Sequence, residues 1–215
     1  PVLKEIFELG TPIAVTITAE AGLFAAVSIL VGTRGADITA AHQISINFAA
    51  TMFMIPLALS AATTVRIGHA LGSGNSAAAR TGGFTGILMC IVFMSFSAAF
   101  LLLFRGLVVG MYTSDPSVTE IAISLLLMAA VFHVADGEQT GAAGALRGYR
   151  DTRKPMVINT ITYWVLGFPL AYLAAITYQA PPAYIWAGFV LGLTVAAVLL
   201  TARFNALSKR MLSAA

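Results

Sequence analysis

The sequence predicts an all-α integral membrane protein, a bundle of six transmembrane helices, and three observations support this. The 215 residues are 59% hydrophobic and only 10% charged, with a mean hydropathy of +0.89, whereas soluble domains carry about a quarter of their residues as charges. The apolar residues form six long runs separated by turn sequences. A helical span needs about 20 residues, so six spans with short loops fill the chain and leave no room for a soluble domain.

The six runs differ in how they begin and end. The first opens with Pro12, which a first helical turn tolerates because its missing N–H would be unpaired there. The second is too long for one straight span, and Pro56 inside it predicts a kink or a continuation past the membrane surface. Turns rich in Gly and Pro separate the later runs. The predicted spans are residues 11–32, 38–71, 81–104, 118–146, 156–178 and 184–204, within one domain covering residues 1–215.

The distribution of positive charge predicts the topology. With six spans, ten of the twelve Lys and Arg residues fall on one side, and only Arg34 and Arg105 fall on the other. Because Lys and Arg near span ends favour the cytoplasm, both termini and the 146–155 loop are expected to be cytoplasmic. Nucleic-acid binders cluster their charge on one wet face, so no nucleic-acid partner is expected, and membrane lipid surrounds the chain. The absence of an initiator Met and of a signal peptide suggests a fragment or a processed piece.

Three acids, Glu20, Asp136 and Glu138, lie inside apolar runs, where an ionised carboxylate costs at least ~2.5 kcal/mol. Glu20 lies nine residues into its span and Asp136 lies eleven residues before Arg147, so both sit ~13–17 Å from the cytoplasmic end. If their helices face each other, they form a paired site for a proton or for a hard cation such as sodium, which prefers oxygen ligands. The alternative is that each acid is a protonated, hydrogen-bonded core group.

The neighbours of Asp136 supply secondary candidates. Phe132 and His133 lie one turn earlier and Gln139 one turn later, which would suit a polar, partly hydrated cavity. Glu138 is two residues from Asp136 and points ~200° away on a regular helix, so it is expected to stand apart. A stripe of small residues on the same helix predicts close helix packing. Its members are Gly137, Gly141, Gly144 or Ala145, and Gly148.

Other polar and aromatic residues have two interpretations each. On the second helix Gln43 and Asn47 share a face, and they either form hydrogen bonds between helices or line a cavity that contacts substrate. The Tyr and Trp residues of the last two spans, Tyr163 and Trp186 among them, are typical of the aromatic belt at membrane surfaces.

Sequence motifs argue against an enzyme. The chain has no G-x-S-x-G, no P-loop, no H-E-x-x-H and no His/Cys cluster of ligand spacing. Cys90 is alone, so no disulfide forms within the chain. No cofactor is expected apart from a coupling ion, and any pumping would be driven by an ion gradient.

Two stretches carry a family resemblance: VRIGHALGSGN at 65–75 and ADGEQTGAAGALRGYRD at 135–151. Both closely resemble the multidrug and toxic compound extrusion (MATE) family, in particular its NorM-like branch. Tyr163-Trp164 followed by Gly167-x-Pro169 also fits that pattern. The resemblance covers essentially the whole chain and matches the second, C-terminal lobe of a transporter that has twelve helices in two lobes.

The resemblance implies an antiporter of the bacterial inner (plasma) membrane, in which sodium or protons drive the export of organic cations. The partner would be the N-terminal six-helix lobe, and the drug would cross between the lobes. The family's carboxylates in this lobe look like Glu20 and Asp136, which would bind sodium if the exporter is sodium-coupled. Gln43 and Asn47 fall where related exporters line the drug cavity.

Two departures from the family pattern leave the coupling ion open. Phe132 stands where sodium-coupled relatives tend to have Tyr, and Glu138 is an extra acid at a usually uncharged position. The alternatives are a flippase of lipid-linked precursors, whose cavity would be basic, and a channel or scaffold that does not transport.

Overall fold

The computed structural model describes residues 2–213, and these form six long helices, each long and apolar enough to cross a membrane. No strand occurs in the described part of the chain. The predicted fold class, an all-α membrane bundle, is therefore confirmed. The helices are α1 (Val2–Gly32), α2 (Ala36–Gly72), α3 (Ser76–Gly110), α4 (Pro116–Gly148), α5 (Arg153–Thr177) and α6 (Pro182–Ser213).

Most of the helices extend past the apolar runs because polar residues at the ends continue or cap them. α1 begins nine residues before the predicted span, over a turn with an i,i+4 ion pair between Lys4 and Glu8 (3.9 Å). The side chain of Asp115 caps α4 by accepting hydrogen bonds from the N–H groups of Ser117 and Val118. Such ends lie outside the hydrocarbon, where hydropathy carries no signal for them.

Helix α2 runs unbroken through Pro56 over 37 residues. At ~1.5 Å per residue it is longer than the ~30 Å hydrocarbon core, as the long apolar run predicts. A kink lies in α3 at Phe104, where the backbone is non-helical (φ −122°, ψ 17°). The apolar run ends at this residue, so hydropathy gave no reason to expect a bend there.

Helix α4 is the centre of the bundle and packs along α2, α3 and α6. The predicted small-residue stripe makes this packing close. A Cβ atom on Gly137 would lie 2.8 Å from the carbonyl oxygen of Cys90, and one on Gly144 would lie 2.2 Å from Ser60 Oγ. Two helices can approach this closely only where side chains are absent.

Helix α1, by contrast, packs mainly on α5 and on α2. Side chains of Trp164, Arg150 and Arg34 join α1 and the turn after it to α5 and its flanking turns. The indole N–H of Trp164 donates to the carbonyl of Ala19 (3.1 Å), and Arg150 forms an ion pair with Glu5. At the other end, Arg34 donates to three carbonyl oxygens near the end of α5, those of Ala175, Gln179 and Ala180. Because α1 rests on α5, a space remains between α1 and α4.

Helix α5 is irregular. Its residues Thr162–Gly167 and Leu173–Thr177 form π-helical turns on either side of a short α-helical segment. It crosses α6 at a glycine pair, where a Cβ atom on Gly188 would lie 2.5 Å from the carbonyl oxygen of Gly167. π-helical turns are rare and occur frequently at functional sites.

Candidate functional site

A cavity of ≈ 380 Å³ lies between α1, α2, α4 and the start of α5. It contains Glu20 from α1 and Asp136 from α4, the two acids that the sequence predicts at the same depth in the membrane. Asp136 is 2% exposed and Glu20 is half-buried. The wall is otherwise largely apolar, with Ile13, Ile17, Phe24, Ile46, Phe53, Leu57 and Phe132 among its residues.

The helical periodicity of α4 explains which of its residues face the cavity. Phe132, Asp136, Gln139 and Thr140 all line it, as expected for positions three or four residues apart. Two of the secondary candidates, Phe132 and Gln139, thus lie beside Asp136. Phe132 supplies apolar surface, whereas Gln139 brings an amide to the same wall.

His133 requires a correction, because it lies outside this cavity. Its ring is fully buried on another side of α4, stacked against Phe48 (6.1 Å between centroids), and its Nδ1 is 3.1 Å from Ser97 Oγ on α3. One residue of offset from Phe132 rotates the side chain by about 100° on a helix, which is enough to direct it to α2 and α3.

Glu138 also lies apart from the acid pair, as helical geometry predicts. Its Oε1 accepts a hydrogen bond from the hydroxyl of Thr201 on α6 (2.9 Å). The third intramembrane acid is therefore held between α4 and α6.

Gln43 and Asn47 do not line this cavity. Both are exposed on α2, and Asn47 Oδ1 accepts a hydrogen bond from the hydroxyl of Tyr112, which follows α3 (2.9 Å). They share an exposed face of α2 with Ala50 and Leu57, which do border the cavity. The two polar residues thus belong to an outer surface of this bundle.

Arg147 is a cavity residue that sequence reasoning missed as part of the site, because it was counted only as a charge at a span end. It lines the wall from the last turn of α4. Its Nη2 donates to Ser60 Oγ (2.7 Å), and Ser60 Oγ donates to the carbonyl of Thr140 (2.9 Å). The sequence does carry a signal for this position, because residues 136, 140, 143 and 147 are three or four apart and therefore share one face of the helix.

The chemistry of the cavity is that of oxygen ligands in an apolar surrounding. Within residues 2–213, no three His, Cys, Asp or Glu side chains come together as a metal cluster. The ion pairs recorded for those residues join Lys4 to Glu8, Arg150 to Glu5 and Arg203 to Asp151, so Glu20 and Asp136 have no basic partner within 4.0 Å. Two carboxylates with few charges nearby favour a proton or a monovalent cation.

Fold and site together define a multi-pass membrane protein with an acidic cavity buried among its spans. The model of the MatE family matches residues 12–173, well over half of the chain. The chain therefore belongs to the MatE family, whose members are transporters and not enzymes.

Sequence relatives agree with this assignment. The chain is 42% identical over 213 residues to the "Multidrug resistance protein MdtK" of Pectobacterium atrosepticum, covering 97% of this chain and 47% of that protein. It is also 42% identical over 213 residues to the "Probable multidrug resistance protein NorM" of Xanthomonas campestris pv. campestris, covering 99% of this chain and 46% of the relative. The chain spans about half the length of the relatives it matches.

Solved structures share the fold. The eukaryotic MATE transporter AtDTX14 superposes with a TM-score of 0.87 at 22% identity, covering 97% of this chain and 48% of its own. A MATE protein in the straight conformation superposes with a TM-score of 0.89 at 20% identity, covering 99% of this chain and 48% of its own. A MOP superfamily transporter from Pyrococcus furiosus superposes with a TM-score of 0.86 at 20% identity, covering 98% of this chain and 47% of its own. That transporter is described as having a binding pocket of reverse polarity. At such identities the likeness establishes the fold alone.

Proposed function

We propose that this chain is the C-terminal lobe of an antiporter that exports organic-cation drugs and toxic compounds in exchange for sodium or protons. Glu20 and Asp136 bind the coupling cation. One observation carries the proposal: two carboxylates from different helices line one cavity whose walls are largely apolar. Ionised carboxylates are costly in such a place unless a cation or a proton neutralises them.

The charge of the cavity links the binding of the coupling cation to the binding of the drug. A bound coupling cation cancels negative charge that would otherwise attract a cationic drug, so the two bind antagonistically, as linkage requires of an exchanger. Arg147 adds positive charge at one end of the same cavity. Because a fixed positive charge opposes cation binding, Arg147 favours release at that end.

The other parts of the proposal concern the whole transporter. The relatives are about twice as long, so an N-terminal six-helix lobe is the partner of this chain. The exposed face of α2 with Gln43 and Asn47 would then border the drug path between the lobes. Both termini lie in the cytoplasm of a bacterium, with the bundle in the inner membrane. Since two acids and a single Arg line the cavity, its polarity supports cation export over a flippase for anionic lipid precursors.

Transport in everted vesicles tests the proposal. Vesicles containing this chain together with its N-terminal lobe are given a sodium gradient or a pH gradient separately, and accumulation of a fluorescent organic cation is followed. Accumulation should depend on at least one gradient and should fall to background in Glu20→Gln and in Asp136→Asn. The exposed acids provide matched controls, Glu120→Gln and Asp37→Asn, which should transport normally. Dependence on neither gradient overturns antiport, and normal transport by both cavity variants overturns the site.

A further inference from the structure

Helix α5 carries buried polar atoms that nothing in the described chain satisfies. Both polar atoms of the Asn159 side chain, Oδ1 and Nδ2, lack a hydrogen-bond partner, and so does the hydroxyl of Tyr163. Both residues are 0% exposed. Within residues 2–213, Asn159 is the residue with two such side-chain atoms. Buried polar groups normally find partners, so the cluster indicates a ligand.

The cluster lies next to the acidic cavity. Thr152 and Pro155 line that cavity at the start of α5. Asn159 follows Pro155 by one turn on the same helix face, and Tyr163 follows Asn159 by one more. The unpaired atoms therefore lie on α5 behind the cavity wall, one and two turns beyond Pro155.

The height of Tyr163 along the bundle matches that of the acid pair. Its neighbour Trp164 donates to the carbonyl of Ala19, the residue before Glu20 (3.1 Å). Tyr163 belongs to the same buried core cluster as Leu23 of α1 and Phe132 of α4, which lie close to Glu20 and Asp136 along their helices. Four polar side chains from three helices thus converge on one region.

The backbone of α5 changes where this region begins. The π-helical turn starts at Thr162, directly before Tyr163. A π-helical turn holds one residue more than an α-helical turn, and such turns are found mostly as local insertions at functional sites. Tyr163 lies within this turn, and its ring is fully buried.

We infer that α5 completes the cation site, with Asn159 Oδ1 and the Tyr163 hydroxyl as two neutral oxygen ligands beside the carboxylates of Glu20 and Asp136. The inference rests on the proposed function and narrows its coupling ion to a hard alkali cation, sodium. Hard cations take several oxygen ligands, both charged and neutral. Phe132, one turn before Asp136, has no ligand oxygen, so the neutral ligands come from another helix. A proton needs only a carboxylate and would leave Asn159 and Tyr163 unpaired.

Direct binding of radioactive sodium tests the inference. The 215-residue chain in lipid nanodiscs is titrated with ²²Na⁺ at constant ionic strength, with choline as the balancing cation. We expect saturable binding that Glu20→Gln and Asp136→Asn abolish. Tyr163→Phe and Asn159→Leu should each weaken binding at least about tenfold. Tyr172→Phe makes the same change at an exposed position of the same helix and should leave the affinity unchanged.

Two further measurements separate a ligand from a structural residue. Tyr163→Phe removes a hydroxyl that has no partner in the protein, so the thermal midpoint without sodium should not fall, whereas the rise produced by sodium should shrink. Asn159→Asp keeps a ligand oxygen and should retain sodium binding. If the thermal midpoint shows that Asn159→Leu is misfolded, the comparison of Tyr163→Phe with Tyr172→Phe decides.

The outcomes that overturn the inference are distinct from those that overturn export. If the chain binds no sodium above the choline background, or if both α5 variants keep the original affinity, α5 supplies no ligands. Drug accumulation driven by a pH gradient alone, without sodium binding, would contradict the inference and leave antiport standing. Accumulation that depends on neither gradient would contradict both.

Discussion

The two sides of helix α4 differ in how they meet their neighbours. Toward α2 and α3, glycines bring the backbones so close that a Cβ atom on Gly137 or Gly144 would overlap its neighbours. Toward α1, the same helix presents Asp136, Gln139 and Thr140 to a cavity. Small residues occur where helices must touch, and polar residues occur where they stay apart. One helix thus separates a packed half of the bundle, where α4 meets α2, α3 and α6, from a half that contains a cavity.

The largest effect is expected from adding volume on the packed side. In Gly144→Ala the new Cβ would lie 2.2 Å from Ser60 Oγ and 2.7 Å from the Ser60 carbonyl oxygen, so the backbone of α2 must move. We expect a loss of about 2 kcal/mol in the free energy of unfolding. Thermal unfolding in detergent measures it.

Gly68→Ala is the matched control, because nothing lies within 4 Å of its Cβ position on α2. It should leave stability unchanged or raise it by up to about 1 kcal/mol through helix propensity. Equal effects of the two substitutions would show that the close packing of α4 does not contribute to stability.

A smaller effect is expected from changing charge on the cavity side. Arg147→Met removes the positive charge that lines the cavity with the two acids. Because that charge repels a coupling cation, its removal should lower the cation concentration for half-maximal transport by about tenfold. Transport in everted vesicles at graded cation concentrations measures the change.

Arg147→Lys keeps the charge and shortens the donor group, so it separates electrostatics from the hydrogen bond to Ser60 Oγ. It should keep the original half-maximal concentration. If Arg147→Lys and Arg147→Met change the half-maximal concentration equally, the guanidinium acts through its hydrogen bond and not through its charge.

The smallest effect is expected from a hydrogen-bond chain that joins α1 to the packed half. The indole N–H of Trp186 on α6 donates to His42 Nδ1 (3.2 Å), and His42 Nε2 donates to Ser28 Oγ on α1 (3.1 Å). Ser28→Ala should lower the free energy of unfolding by about 1 kcal/mol. A loss as large as that of Gly144→Ala would show that α1 is as firmly packed as α4.

Sequence reasoning predicted the helices better than their rotation. Hydropathy defines six spans because the membrane requires long apolar runs. Depth alone brought Glu20 and Asp136 together, since rise along a helix does not depend on packing. Sequence reasoning placed His133 on the cavity side of α4 and Tyr163 at the membrane surface, whereas both are buried elsewhere in the bundle.

The reason is that lipid and protein interior are both apolar, so hydrophobic residues on a span do not show which face is buried. Rotation is set by contacts such as those of Gly137 and Gly144, which depend on the partner helices. Arg147 escaped notice for a related reason. A charge near the end of an apolar run normally reports topology, and only the contacts of the folded bundle place it in the cavity.

The contact between Gly167 and Gly188 has a mechanical consequence. Helix α1 is attached to α5 in the middle by Trp164 and near one end by Arg34. Helix α5 in turn rests on α6 at the two glycines, where backbone touches backbone. Because neither glycine has a side chain that could interlock with the other helix, this contact can serve as a pivot. A small change of angle there would carry α1 with α5, and it would widen or narrow the acidic cavity while the packed half keeps its contacts.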